Sequence, residues 1–293
     1  MKHVSILLLL CLLTLGTQLW AQDWNLTGTF NFNVTQNAYS NSWAGTEKGA
    51  ITWTAGSNMS AEKQLNPLFF NVNTLKLAFG QTHQQETDSQ GENYWAKPVK
   101  STDNIDAESL LKMTMQTFVN PFVGLRVESQ FLDLTDPSLT RIVNPLKFTE
   151  SAGITRSWLQ RGNEALSSRF GAAFRQNLNR DVLISAVPEQ RENQTTIDGG
   201  LEFVTEYKNV FTPSNVSYNT KLQIYQALFN SKSDDYAHEE WKSPDVNWEH
   251  SLGMRIWGAL SLNLYLQLLY EKEQISEMQL KETMGLGFSY NLF

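Results

Sequence analysis

The chain has 293 residues, 41% hydrophobic and 12% aromatic, with 23 Lys and Arg against 30 Asp and Glu and a formal net charge of −7. That acidic balance offers no basic stripe for nucleic acid, and one cysteine, Cys11, excludes a disulfide framework. The apolar residues fall in period-two strings rather than blocks, a pattern that suits the wall of a β-barrel.

Residues 1–22 read as a signal peptide: Lys2 gives a positive start, Val4 to Leu15 is apolar, and Ala21 is a small residue for cleavage. The apolar run is shorter than the roughly 20 residues of a spanning helix, and no other stretch in the chain reaches that length. Cys11 follows Leu8-Leu9-Leu10, not the small residues that precede a lipid-modified cysteine. Loss of the leader removes Lys2 and brings the mature chain to about −8, and it takes away the only thiol. Residues 23–293 hold no Pro- or Gly-rich linker, so they are expected to form one domain.

Alternation predicts strands over 24–36, 49–62, 68–83, 105–119, 122–133, 146–158, 165–177, 195–207, 215–229, 246–256, 259–271 and 279–292. The clearest is Leu260, Leu262, Leu264, Leu266, Leu268 and Tyr270 set against Ser261, Asn263, Tyr265 and Gln267. Only a strand places those sets on opposite faces. Val246 to Ile256 alternates in the same way just before it, and Trp257-Gly258 makes a tight link, which is a hairpin signature. A soluble sandwich and a membrane barrel share this alternation with the faces inverted, so periodicity alone does not separate them.

The gaps separate them. Long gaps at 37–48, 84–104, 134–145, 178–194, 230–245 and 272–278 alternate with short ones at 63–67, 120–121, 159–164, 208–214 and 257–258. Each strand reaches the roughly 9–11 residues of a tilted span. The expected fold is therefore an all-β, transmembrane antiparallel up-and-down barrel of about twelve strands, with both termini on the short-turn side. Trp24, Trp43, Trp53, Tyr94, Trp95, Trp158, Tyr207, Trp241, Trp248, Trp257, Tyr270 and Tyr290 sit near predicted strand ends, as interfacial girdles do.

Several local signatures occur in the order found in a family of outer-membrane barrels, common in Bacteroidetes-type bacteria and catalogued mainly as a domain of unknown function. Asn31 to Gln36 with Ser40-Asn41-Ser42-Trp43-Ala44-Gly45 resembles its first strand and Ser-Asn-Trp-Ala-type loop, and Lys100 to Asp103 its Lys-x-x-Asp approach to the fourth strand. Arg126 with Ser129-Gln130-Phe131 is similar to its Arg-Thr-Gln-Phe strand, and Val143-Asn144-Pro145 to a loop ending in proline. The match is best at the end, in Val246 to Glu249, Leu269-Tyr270-Glu271, Lys281-Glu282 and Gly285 to Tyr290. The first loop departs from the pattern at Gly45-Thr46, and terminal Phe293 is out of phase with Tyr290, Phe288 and Leu286. The resemblance implies a fold and a bacterial outer-membrane location, and it supplies no catalytic residues.

If the apolar faces meet lipid, the opposite faces line a lumen. They carry Glu108, Lys112, Arg126, Glu128, Arg169, Arg175, Asp198, Glu202, Glu206, Lys221, Glu249 and Arg255. Mixed charge there fits either a solute-selecting constriction or a cross-lumen network of paired ions that fills the barrel. Neighbouring strands are expected to cluster Arg126, Arg169 and Arg175 opposite Asp198, Glu202 and Glu206.

The mature histidines are His83, His238 and His250. His83 and His238 share segments with Glu86, Ser89, Asp234 and Asp235, but polar loops make such company common and no HExxH or Cys/His spacing occurs. His238-Glu239-Glu240 reads as a solvated run and His250 as interfacial. No enzyme, cofactor or metal is expected. The leading expectation is a passive channel for small solutes in contact with outer-membrane lipid. The alternatives are a non-conducting accessory barrel with an envelope protein partner and, third, an outer-membrane hydrolase or acyltransferase.

Overall fold

The computed structural model describes residues 24–39, 48–90, 92–115, 117–212, 214–236 and 238–292. The predicted leader, the Ser40 to Gly45 motif with Trp43, and Phe293 lie outside the described residues.

The barrel strands are β1 (Asn25–Asn37), β2 (Ala50–Asn66), β3 (Phe69–Thr87), β5 (Val99–Met113), β6 (Asn120–Ser129), β9 (Leu146–Arg161), β10 (Glu164–Ala186), β11 (Glu189–Phe211), β12 (Val216–Asn230), β13 (Asp245–Trp257), β14 (Leu260–Tyr270) and β15 (Gln279–Asn291). Short β4 (Asn93–Trp95), β7 (Leu132–Asp133) and β8 (Arg141–Ile142) decorate the connections. Each barrel strand pairs antiparallel with its neighbour and β1 closes on β15, giving a closed 12-strand barrel with no free edge along its wall.

The closing seam is short, from Thr29↔Asn291 to Val34↔Leu286. It is also tight: a Cβ at Gly287 would run into the Phe32 carbonyl and the Asn33 side chain, so glycine is what lets the two strands meet there. At the other kind of close turn, Gly258 takes φ +55° between β13 and β14, a conformation that side chains with a Cβ resist.

β2 turns into β3, β5 into β6, β9 into β10, β11 into β12 and β13 into β14 at one end of the barrel, where β1 begins and β15 ends, here the turn end. The links from β1 to β2, β3 to β5, β6 to β9, β10 to β11, β12 to β13 and β14 to β15 leave from the other, the loop end. The period-two pattern runs inverted relative to a soluble protein. Outward Phe170, Leu201, Leu228, Leu280, Leu286 and Phe288 are exposed, whereas inward Arg126, Arg169, Glu202 and Lys221 are buried.

Three expected boundaries need correction. The predicted strand at 105–119 is β5, which starts six residues earlier at Val99 and ends at Met113. Asn120-Pro121, read as a turn, instead opens β6, because proline is tolerated as an early strand residue where its missing N–H removes no essential ladder bond. The predicted loop at 178–194 is a ribbon: β10 and β11 continue to Ala186 and Glu189, paired past the point where β9 and β12 stop.

That ribbon is braced by the 130–145 connection. Fully buried Asn144 donates to Asp133 at 2.7 Å and to Asn179 at 2.8 Å and accepts from the Arg180 amide at 2.8 Å. Asp133 in turn holds Arg141 at 2.7 Å. Further out, Asp136 binds Arg191 at 2.6 Å. Bonds from Ser138 and the Arg191 guanidinium keep the Asp136 carboxyl well below the usual carboxylate range.

Candidate functional site: a divided lumen

Successive lumen-facing positions on β5, β6, β10, β11 and β12 carry long charged side chains, and the closed wall brings them within reach of one another. Arg126 makes a bidentate contact with Asp106, both bonds at 2.9 Å, and also reaches Glu128 at 3.1 Å and the Gln223 carbonyl oxygen. Arg169 pairs with Glu108 and lies 3.9 Å from Glu202. Lys221 stands 3.8 Å from Glu108 and 3.7 Å from Glu206. Gln223 completes the layer by donating to Glu202 at 2.7 Å. In a site this dry, each charge needs its partner, and each has one.

Nearer the loop end, Arg175 lies 3.2 Å over the Tyr225 ring and pairs with Asp245 at 2.7 Å, while Tyr225 gives its hydroxyl to Asp198. Trp241, from the β12–β13 connection, seats on Tyr225, Ala173 and Ala227. It is thus buried, not part of a girdle as its place in the sequence suggested; Trp158, Trp257 and Tyr290 are exposed on the wall towards the turn end. Tyr236 donates to Glu273 at 3.2 Å across the mouth. Burial and the charge of that carboxylate push the Tyr236 phenol up to about 12. Burial first, and then repulsion from Asp245, holds Glu273 above the usual carboxylate range.

The other half of the lumen differs. On β14, β15, β1 and β2 the middle of the inward rows is small and uncharged: Ser261, Asn263, Thr283, Gly285, Gly287, Ser289, Asn31, Asn33, Thr52, Thr54 and Gly56, with Lys281 towards the loop end and Glu62 towards the turn end of the same rows. Their side chains bond sideways along the wall. Ser261 meets Ser289 at 2.7 Å, Ser289 donates to Asn31 at 2.5 Å, and Asn263 donates to Asn33 at 2.9 Å. One ion pair separates the halves: Lys76 on β3 reaches Glu249 on β13 at 3.3 Å, and those two strands flank the small-residue sector. Tyr265 adds a hydrogen bond to Glu249 on the same chord.

Of the residues singled out in the sequence, Glu108, Arg126, Glu128, Arg169, Glu202, Glu206 and Lys221 meet in one network, Arg175 and Asp198 meet through Tyr225, and Glu249 sits on the chord. Lys112 lies in the field of Glu206. Arg255 shares the lumen-facing parity but is exposed at the turn end of β13. Of the expected cluster, Arg169 and Arg175 on β10 stand beside Asp198, Glu202 and Glu206 on neighbouring β11, with Arg175 directly across from Asp198, while Arg126 lies on β6; in ion pairs Arg169 approaches Glu202, and Arg126 and Arg175 take Asp106 and Asp245. Lys76, Asp106, Gln223 and Asp245 were missed. Asp106 carried a usable signal, standing two residues before Glu108 on one strand face.

His83 belongs to β3 and His238 to the β12–β13 connection. No contact among the described residues joins them. On the outer wall His250 meets the Tyr218 hydroxyl at 2.8 Å through Nδ1.

A family model described as a protein of unknown function (DUF3078) matches residues 34–133. No curated protein matches. Among solved structures, the COG4313 outer membrane channel from Pseudomonas putida F1 is 15% identical with a TM-score of 0.41, over 91% of this chain and 93% of that one. The translocator domain of autotransporter NalP from Neisseria meningitidis is 6% identical with a TM-score of 0.34, over 91% and 87%. Pseudomonas putida OprB is 9% identical with a TM-score of 0.28, over 94% and 96%. At those scores and identities none of them bears on cargo.

Proposed function

We propose that the protein is a bacterial outer-membrane channel, exported through a cleaved signal peptide, that passes small polar solutes along the uncharged sector of its lumen. An exposed apolar wall around a closed barrel with a polar interior supports the membrane reading, because lipid alone makes that inversion favourable. The turn end then faces the periplasm and the loop end faces outward.

The observation that carries the channel reading is the chord. Lys76 and Glu249 close off the crowded, charged half, and between Lys281 and Glu62 the half left over is lined by hydroxyls, amides and bare glycine backbone that are already tied to the wall. A lumen built only to be filled has no need of that asymmetry. Single-channel recording with the native protein and Lys76→Met tests the reading: the variant joins the two halves, so its conductance is expected to rise, and equal conductance in both argues against a conduit beside the chord.

One feature favours a second reading. The buried network and the seated Trp241 rigidify the barrel as an accessory protein anchoring an envelope partner would require. Reproducible conductance separates the two.

A further inference from the structure

We infer that a chamber on the loop side of the Arg126–Gln223 bond binds a small, uncharged, hydroxyl-rich solute of about monosaccharide size. The inference rests on the channel reading and deepens it by naming the solute class. The chamber measures about 150 Å³, with Arg126 and Gln223 at its base and Lys147, Asn247, Gln267 and Glu271 around it. A cavity of about 150 Å³ takes up one benzene-sized ring, so the chamber has room for a single small ring solute.

Its charges cancel before any solute arrives. Arg126 is taken up by Asp106 and Glu128, and Lys147 lies 3.5 Å from Glu271. An incoming ion would have to break one of these pairs and strand the other member in a half-buried site, which is unfavourable. What remains on offer are the carboxamides of Asn247 and Gln267, which both donate and accept, together with the spare donors of an ammonium that has three. Gln267 already donates to Asn247 at 2.9 Å, which fixes both groups against the chamber. Hydroxyl groups also donate and accept, so a polyol satisfies this lining without disturbing an ion pair.

The chamber also joins the conduit. Gln267 stands in the inward row of β14 that continues past Tyr265 on the chord to Asn263 and Ser261, so a hydroxylated solute meets an uncharged hydrogen-bonding partner at each step. Retention must then be weak, since conduction requires release as well as capture.

Saturation-transfer NMR on the refolded barrel in detergent tests this, with D-xylose as probe and L-lysine and succinate as charged comparators. The expected result is transfer to D-xylose well above either comparator, reduced about fivefold in Gln267→Leu through loss of one neutral hydrogen-bonding group. Asn247→Leu, made separately, is expected to do the same, and heat-modifiable gel mobility reports that each variant is folded. Charged comparators that match the sugar, a sugar signal unchanged in both folded variants, or no sugar signal from the folded native barrel would each overturn the inference. Conductance of the same preparation keeps the two ideas apart. Steps without sugar binding sink the binding site alone, and sugar binding by a silent barrel sinks the channel reading alone.

Discussion

Lys76 Nζ and Glu249 Oε2 meet at 3.3 Å from strands on nearly opposite sides of the barrel, so a single ion pair sets the width of the lumen on either side of it. Removing the lysine leaves Glu249 without its cation, next to an open conduit. Lys76→Met is therefore expected to raise cation selectivity as well as conductance, and Lys76→Met/Glu249→Gln to keep the conductance gain while losing the selectivity gain. Reversal potentials in a salt gradient separate the two effects. A selectivity unchanged in the single variant would place the chord outside the ion path.

Arg126 has the heaviest set of partners in the lumen, with Asp106, Glu128 and Gln223 all converging on one guanidinium. Arg126→Met leaves buried Asp106 and half-buried Glu128 without their guanidinium, a change expected to cost about 3–5 kcal/mol. Guanidinium unfolding of the folded barrel checks it. Asp106→Asn added to that variant should recover part of the loss, because one of the stranded charges is gone. Arg126→Ala and Glu202→Ala should shift ion selectivity in opposite directions, towards cations and towards anions respectively.

The outer wall makes its own prediction. Leu264 lies halfway along β14 on the apolar face, and an arginine there must sit at mid-membrane. Leu264→Arg is expected to destabilise the barrel by about 2–4 kcal/mol, measured by the same unfolding experiment in lipid vesicles. A neutral result would mean that this face does not meet hydrocarbon.

Glu273 supplies a pH dependence at the mouth, at the loop end of the barrel. Its carboxyl titrates above the usual range because burial and Asp245 disfavour its charge. The folded state therefore holds the proton more tightly than the unfolded one. The contribution of this group to stability is full below the ordinary glutamate range and is lost as pH rises through the raised value. Protection of the 231–244 and 271–278 connections from hydrogen exchange should increase as pH falls from 7 towards 5, after correction for the intrinsic exchange rate. Glu273→Gln should give the protected behaviour at pH 7. Loss of protection on acidification would contradict this assignment.

The ribbon brace is local. Asn144→Ala removes the bonds to Asp133, Asn179 and Arg180 and leaves buried partners unsatisfied, which costs about 1–3 kcal/mol for each such group. Limited proteolysis should then nick the 130–145 connection while the heat-modifiable mobility of the barrel persists. An uncut loop would mean that Asp136 and Arg191 hold the ribbon unaided.

How much of this was legible varies by element. β14 announces itself because its outward face carries leucine at every second position, from Leu260 to Leu268, and its lumen-facing positions between them are polar. The ribbon of β10 and β11 did not, since beyond the wall neither face is buried and Asn179, Arg180, Asp181, Glu192 and Asn193 erase the period of two. Lumen-facing charge was readable strand by strand for the same reason that β14 was. Its partners were not, because Lys76 and Glu249 stand 173 residues apart and meet only through barrel closure and register. The uncharged sector was equally hidden, being a property of which strands lie side by side.

Single-channel conductance of the purified, refolded protein in a planar bilayer, against a heat-denatured control, tests the central claim most directly. Small, reproducible steps with a weak ion preference are predicted, since most lumen charges are paired and the conduit beside them is neutral. A barrel that inserts correctly and stays silent would contradict the channel reading and leave the filled, accessory barrel in its place.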